Sequence, residues 1–226
     1  GYNETSKAKV FKFLKTFINF KKFPLSGLNS ITECETAKIL ENSYRATNIA
    51  LIDEWVQYAN LIKVDLLKII NSIKIRPTHS NIMLPGLGVG GYCLPKDALF
   101  AIKSSEIIHK KKINFPFIKL TSKINKRMPV TSFNFIKQKI KKLSGKKILV
   151  MGISYKEDVD DTRNSPTNTL IKKLKEKGSK ITIHDPMVYK NKIPKFCLFD
   201  LVLFCVKHKD YNNIPNRYFS KASSYL

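Results

Sequence analysis

The longest uninterrupted segment of this sequence runs from Glu33 to Ile75 without a proline or a glycine. Apolar residues recur along it at the three- and four-residue spacing of a helix face. They are Ala37, Leu40, Tyr44, Ala50, Leu51, Trp55, Ala59, Ile62 and Leu66. The pattern predicts one long helix, or two helices that break near Lys63–Asp65, where Asp65 can cap the second.

The segments on either side of this run differ in character. Residues 97–110 and 117–143 return to helical periodicity, and we predict a break in the second at Pro129. The first 30 residues are basic and aromatic, and Pro24, Gly27 and Asn29 interrupt them. We therefore expect an irregular lead-in over 1–30 and a helical domain over 31–143.

After Gly145 the pattern changes to short runs rich in β-branched residues, separated by one helix. KKILVMG, KITIHD and DLVLFCV read as three strands. Ser165 to Lys177 reads as a helix with Pro166 in its first turn and Gly178 at its end. This alternation predicts a small parallel sheet in a C-terminal α/β domain over 144–226.

The segment GLGVGGYCLPKD contains Gly86, Gly88 and Gly91, which match G-x-G-x-x-G. A dinucleotide fingerprint follows a buried strand, opens directly into a helix, and has an acidic residue about 20 positions later. Here Pro85 precedes the first glycine, Tyr92 to Pro95 follow the last, and helical sequence lies beyond. We therefore interpret the segment as a shaped loop whose glycines let the backbone approach a ligand.

Cys93 follows these glycines and precedes Pro95, a residue suited to the first turn of a helix. At a helix N-terminus, the dipole and the free N–H groups favour a thiolate. Lys96 adds a positive charge, and Asp97 can handle a proton or a water molecule. The residues alone leave a reactive thiol and a buried cysteine in a turn equally open.

The other cysteines do not indicate a second site. Cys34, Cys197 and Cys205 form no CxxC pair and no cluster with zinc spacing, so we predict neither a disulfide scaffold nor a metal site. Cys197 and Cys205 lie in an apolar run, where buried inert thiols are expected.

The formal net charge of +24 permits nucleic acid, an anionic membrane or a polyanionic small molecule as a partner. The lysines are spread through the chain, however, which favours a solvated surface over one binding patch. Since no nucleic-acid-binding signature accompanies them, we expect neither a nucleic-acid nor a membrane partner.

Three distinctive segments occur in order: ECETAKILENSYRATNIALIDE, then PGLGVGGYCLPKD, then ILVMGISYKEDVDDTRNSPT with ITIHDP. Together they resemble the UDP-glucose/GDP-mannose dehydrogenase family, which includes UDP-N-acetylmannosamine dehydrogenases of surface polysaccharide synthesis. The resemblance covers about residues 30–215. It implies an α/β fold with a helical central dimerisation domain built on a long helix, followed by a small Rossmann-like parallel βαβ domain.

The resemblance also implies an activity: NAD-dependent oxidation of the C6 alcohol of a nucleotide sugar, in two steps, to a uronic acid. Cys93 stands at the position of the nucleophile that forms a thiohemiacetal and then a thioester. Lys38 and Asn42 match the pair that polarises the reacting oxygen, and Asp97 matches the carboxylate linked with water activation. From the residues alone, Lys38 and Asn42 read as part of an exposed helix face.

Further positions match groups that bind substrate or cofactor in the family. Gly90 and Gly91 line the sugar, Lys96 belongs to the same motif, and Arg76 lies where a substrate-binding arginine sometimes occurs. Lys156 and Arg163 match basic residues that meet the nucleotide and cofactor phosphates, respectively, although the acidic residues around them could equally make a paired surface loop.

Full-length relatives begin with a dinucleotide-binding domain of roughly 200 residues, which this sequence does not supply. We therefore interpret residues 1–30 as the remnant of a junction, expect the final strand after SKASSYL to be lacking, and expect no turnover unaided. A separate NAD-binding chain is one possible partner, and the long helix implies a homodimer.

No run of 18 apolar residues and no signal peptide pattern is present, which makes a cytoplasmic location the default expectation. The form of the glycine loop favours a UDP-linked N-acetylhexosamine or glucose over GDP-mannose. The alternatives to an enzyme are an inactive UDP-sugar-binding or dimerisation remnant and a basic nucleic-acid-binding protein.

Overall fold

A computed structural model describes residues 1–214 of the chain as a helical half followed by a small α/β half. The helices are α1 (Glu4–Leu14), α2 (Ile31–Ile62), α3 (Leu66–Ile73), α4 (Leu94–Ile107), α5 (Pro116–Lys139) and α6 (Pro166–Glu176). The strands are β1 (Lys147–Met151), β2 (Lys180–His184) and β3 (Leu201–Phe204). The predicted fold class is confirmed, while the final segment SKASSYL lies outside the described residues.

The long helix α2 ends where the sequence predicted a break. Lys63 has a left-handed backbone with φ of 58°, and the Asp65 side chain accepts hydrogen bonds from Leu67 N and Lys68 N to start α3. On its inner face α2 buries small or polar side chains against α4 and α5. Asn42, Ala46 and Ala50 are among them, and their small size lets the neighbouring helices approach.

Two predictions about the helical half were wrong. The lead-in contains the helix α1, which the capping box of Asn3 and Ser6 begins. Pro129 does not break α5, because the helix continues through it from Pro116 to Lys139. Pro129 is buried, and packing of α5 against α2, α4 and α6 outweighs the missing backbone hydrogen bond.

The sheet has the order β2-β1-β3 with both pairings parallel. The central strand β1 alternates its side chains between two apolar clusters, as the pleat requires. Ile148 and Val150 pack with residues of α5 and α6, while Leu149 and Met151 pack with Phe196 on the opposite face. Because α5 contacts α2 and α4 as well as α6, one helix joins the two halves.

Asp185 follows β2 and is fully buried. Its carboxylate accepts hydrogen bonds from four backbone N–H groups and contacts His208 Nε2 at 3.2 Å. The four donors are Ile153, Ser154, Met187 and Val188. Burial alone would raise the pKa of Asp185, but the backbone hydrogen bonds and His208 hold that pKa below its ordinary value. Asp185 therefore ties the ends of β1 and β2 together.

Within residues 1–214, no helix combines the length and the apolar character that a membrane span needs.

Replacing Asp185 with Asn should lower the free energy of unfolding at pH 7 by about 3 kcal/mol, because an amide nitrogen would face backbone N–H donors. Since the folded-state pKa of Asp185 is depressed, its contribution is present above the unfolded value and is lost as pH falls. The difference between the variant and the wild type should therefore shrink below about pH 4. Urea unfolding at several pH values measures it. Asp160→Asn, at an exposed carboxylate, is the control, and an equal loss there would contradict this role for Asp185.

Candidate active site around Cys93

Cys93 occupies the N-cap position of α4, and its side chain is exposed. The helix begins at Leu94 with Pro95 in the first turn, as the sequence predicted. The Cys93 carbonyl accepts hydrogen bonds from Lys96 N at 3.1 Å and Asp97 N at 2.9 Å. The thiol is therefore delivered at the start of a helix, where negative charge is favoured.

The glycine loop follows the short 3-10 turn Pro77–His79 and no strand. The segment before it rests on α2, because Asn81 Nδ2 donates to the Tyr44 hydroxyl and Met83 N donates to Asn48 Oδ1. This context agrees with the argument against a dinucleotide fingerprint in the loop.

Lys38, Asn42 and Asp97 form a hydrogen-bonded chain from α2 to α4. Lys38 Nζ donates to Asn42 Oδ1 at 3.2 Å, and Asn42 Nδ2 donates to Asp97 Oδ2 at 2.7 Å. Asn42 is 1% exposed, so its amide is fixed. Asp97 lies one helical turn after Cys93, which brings all three predicted helpers to the helix that Cys93 begins.

The sequence reasoning missed Glu41, which shares the Lys38 ammonium. Lys38 Nζ donates to Glu41 Oε2 at 2.7 Å, and this hydrogen bond holds the pKa of Glu41 below its ordinary value. The spacing of three residues on one helix could have revealed the pair.

Gly90 and Gly91 pack against the loop after β1. An added Cβ at Gly90 would lie 2.8 Å from Tyr155 Cβ, and one at Gly91 would lie 2.8 Å from the Tyr155 ring. Gly91 has a φ of +78°, a region that glycine adopts without strain. Gly91 N donates to the Arg163 carbonyl, and Asn164 Nδ2 donates to the Gly91 carbonyl. The two halves of the chain therefore meet at these glycines.

Tyr92 is exposed beside the same contact, with cations near its ring. Lys96 Nζ lies 3.6 Å and Arg163 Cζ lies 5.8 Å from the ring centroid. Lys96 is also 5.2 Å from the centroid of Phe100. The Lys96 ammonium is thus engaged with aromatic rings in this structure.

Arg163 is paired with Asp161. Its guanidinium donates through Nε and Nη2 to both carboxylate oxygens, and these bonds hold the pKa of Asp161 below its ordinary value. The Arg163 side chain is 67% exposed, so the pair is in water and its net stabilisation is small. Lys156 is exposed on the same loop.

Arg76 lies away from these contacts. It lines a hollow with Ser72, Ile73 and His79 at the end of α3, and none of the residues of the Cys93 loop lines that hollow. The structure thus links Lys38 and Asn42 to Asp97 in the first turn of α4, which Cys93 caps. Gly90, Gly91 and Arg163 lie at the contact between the halves, and Lys96 lies beside Tyr92.

The remaining cysteines differ from the prediction in one case. Cys197 is exposed rather than buried, because it lies in the short 3-10 turn before β3. Burial raises the pKa of the Cys205 thiol to about 12, as expected for an inert thiol.

Family models match both halves of the chain. The central domain of the UDP-glucose/GDP-mannose dehydrogenase family matches residues 32–127, and the UDP binding domain of that family matches residues 149–223. This chain belongs to the UDP-glucose/GDP-mannose dehydrogenase family. The predicted resemblance is confirmed.

Individual relatives agree with this assignment. A UDP-N-acetyl-D-mannosamine dehydrogenase from Methanocaldococcus jannaschii is 30% identical over 219 residues, which cover 94% of this chain and 48% of that protein. The solved structure of a UDP-D-ManNAc dehydrogenase from Pyrococcus horikoshii is similar with a TM-score of 0.77 and 27% identity, covering 99% of this chain and 53% of that one.

The native structure of a UDP-N-acetyl-mannosamine dehydrogenase from Staphylococcus aureus gives a TM-score of 0.74 and 29% identity. It covers 99% of this chain and 51% of that one. The chain therefore spans about half the length of the relatives that it matches.

Proposed function

We propose that this chain forms the substrate-binding part of an NAD-dependent nucleotide-sugar 6-dehydrogenase, with Cys93 as the covalent nucleophile. The observation that carries the proposal is the chain from Lys38 through Asn42 to Asp97, one helical turn from Cys93. It supplies a cation, an amide donor and a carboxylate beside an exposed thiol, which are the groups that this oxidation uses.

Lys38 and Asn42 are suited to hold the reacting oxygen. An ammonium carries three N–H groups and an amide carries two. Within the described residues, the Lys38 ammonium uses two N–H groups, one to Glu41 and one to Asn42. The Asn42 amide uses one N–H group, to Asp97. Each side chain therefore keeps an N–H for an oxygen that gains negative charge during the reaction.

In the proposed reaction, the Cys93 thiolate adds to the C6 aldehyde, a C–S bond forms, and the former carbonyl oxygen takes a proton. Loss of a hydride from C6 and of the hydroxyl proton gives a thioester. Water then adds to the thioester carbonyl, the C–S bond breaks, and the thiolate and the uronic acid separate. We assign the proton transfer from water to Asp97, which Asn42 orients.

Arg163 fits a contact with the cofactor phosphates. Its guanidinium has a planar set of donors, and its pairing with Asp161 is exposed, so a diphosphate can replace that partner at small cost. Among residues 1–214, the glycine loop does not fit a dinucleotide, because Gly88, Gly90 and Gly91 lie against Tyr155 or Pro166. NAD, when bound, accepts the hydride in each of the two oxidations.

We propose a UDP-linked sugar as the substrate. The family model over residues 149–223 describes a UDP binding domain, and Lys156 is an exposed cation on the loop that contacts Gly91. The similar proteins named above are UDP-N-acetylmannosamine dehydrogenases, which favours an N-acetylhexosamine as the sugar. The product would be a uronic acid for surface polysaccharide synthesis.

Calorimetric titration with a UDP-sugar tests substrate binding. We expect saturable binding, and we expect Lys156→Ala to weaken it about tenfold, because a charge-assisted contact to phosphate is lost. Lys172→Ala, which removes an exposed lysine from α6, is the charge-matched control. No binding of the UDP-sugar, together with strongly salt-dependent binding of duplex DNA, would contradict the proposal and support a nucleic-acid-binding protein.

Formation of NADH tests the role of Cys93. We expect none from these 226 residues alone. With a separately produced dinucleotide-binding domain from a relative, we expect two NADH per sugar. Cys93→Ser should yield at most one, because the second oxidation requires the C–S bond. Cys34→Ser changes another exposed cysteine and should retain both oxidations. Two NADH per sugar from Cys93→Ser would exclude Cys93 as the nucleophile.

We also propose that α2 forms a homodimer through an apolar stripe on its outer face. The stripe consists of Leu40, Tyr44, Leu51, Trp55, Tyr58 and Ile62, all exposed. Its spacings of three, four and seven residues place these side chains along one side of the helix. A monomer rarely exposes a continuous apolar surface of this kind, and a second copy of the helix would cover it.

Sedimentation equilibrium tests the dimer. The wild-type chain should sediment as a dimer, and Leu51→Glu should weaken dimerisation at least about tenfold, because it buries a charge at the centre of the stripe. Phe13→Glu alters another exposed apolar residue, on α1, and should leave the dimer intact. A wild-type monomer at concentrations of tens of micromolar would contradict the proposal.

A further inference from the structure

Both backbone polar groups of Gly91 are satisfied by the loop that precedes α6. The Gly91 N–H donates to the Arg163 carbonyl at 3.0 Å, and its carbonyl accepts from Asn164 Nδ2 at 2.9 Å. Gly91 is buried while Asn164 is exposed, so the hydrogen bond between them is partly shielded from water. Of the two contacts, the one from Asn164 is made by a side chain and can be removed by substitution.

The local backbone favours this contact of Asn164. Its backbone is left-handed, with φ of 50°, a conformation that asparagine tolerates better than most residues. The next residue, Ser165, is buried and caps α6 by accepting a hydrogen bond from Thr167 N. The amide of Asn164 therefore projects from the fixed start of a helix toward Gly91.

The contact lies two residues before Cys93. On the other side of Cys93, the first turn of α4 is fixed to α2 by the bond between Asn42 and Asp97. The backbone of Cys93 is thus held from both directions, by α2 after it and by the C-terminal half before it. Asn164 has no part in the chain of Lys38, Asn42 and Asp97, and the sequence patterns did not single it out.

We propose that Asn164 is a positioning residue for Cys93, which keeps the thiol at the N-terminus of α4 by holding Gly91. The importance of Asn164 for catalysis rests on the proposed function, whereas the hydrogen bond by which Asn164 holds Gly91 does not. Through this residue, the loop that carries Lys156 and Arg163 is coupled to the nucleophile. A conformational change in that loop would therefore alter the position of the Cys93 thiol, although the loop does not contact the thiol directly.

The rate at which iodoacetamide alkylates each cysteine of the folded wild-type chain tests the proposal, with mass spectrometry to separate the peptides. Asn164→Gly keeps the left-handed backbone and removes the amide. Asn164→Asp keeps the shape and replaces the donor with an oxygen. We expect both variants to alkylate Cys93 about threefold more slowly near pH 7, because a freed loop spends time away from the helix N-terminus.

Cys34 and Cys197 are exposed in the same molecule and serve as internal controls whose rates should not change. Asn168→Ala is the matched variant, since Asn168 Nδ2 donates to the Thr162 carbonyl at 3.4 Å and not to Gly91. Amide hydrogen exchange of residues 86–93 should rise in both Asn164 variants and not in Asn168→Ala.

Unchanged Cys93 rates in both Asn164 variants would overturn the proposal. Parallel changes at all three cysteines, or the same slowing in Asn168→Ala, would also overturn it by showing general loosening. Neither substrate nor cofactor enters the experiment, so a failure of the proposed function leaves its outcome unaffected, and the two failures are distinguishable.

Discussion

The close approach of Gly90 and Gly91 to Tyr155 is the constraint on which the arrangement of the site depends. A Cβ at either position would lie within 3 Å of the tyrosine, so any other residue would push the loop away from the C-terminal half. With glycine there, the backbone comes near enough to bond with Arg163 and Asn164. The loop that delivers Cys93 thus becomes part of the contact between the two halves.

The helix α2 serves the site from the other side. Its inner face carries Asn42 among small residues such as Ala46 and Ala50, which lets α4 pack closely enough for Asn42 to reach Asp97. A larger neighbour would separate the helices and break that bond. The same helix directs an apolar stripe outward, so one element carries both Asn42 and the exposed residues around Leu51.

The charges near Cys93 are paired in ways that a ligand can change. Glu41 partners Lys38, and Asp161 partners Arg163, in a chain whose formal net charge is +24. Both pairs are exposed, and exposed pairs contribute little net free energy. An anionic substrate can therefore recruit either cation at small cost, while the carboxylates keep the side chains in a restricted set of positions.

Most of the local structure follows from the amino-acid sequence. The break after Ile62, the cap at Asp65, the three parallel strands and the position of Cys93 at the start of a helix all follow from short-range rules. Lys38 and Asn42 lie four apart on one helix, so even their pairing could be expected from spacing. The resemblance of three ordered segments was enough to place the chain in its family.

Which of these segments contact each other depends on the packing of the whole chain. Pro129 remains inside α5 because packing on both halves outweighs one lost hydrogen bond, which no local rule measures. Arg76 carries the positive charge that a phosphate-binding residue needs, yet it lies in a separate hollow at the end of α3. Asn164 is 73 residues from Gly91 in sequence, and its contact depends on the mutual placement of the halves. Short-range patterns specify helices and strands, whereas contacts between distant segments arise from packing of the whole chain.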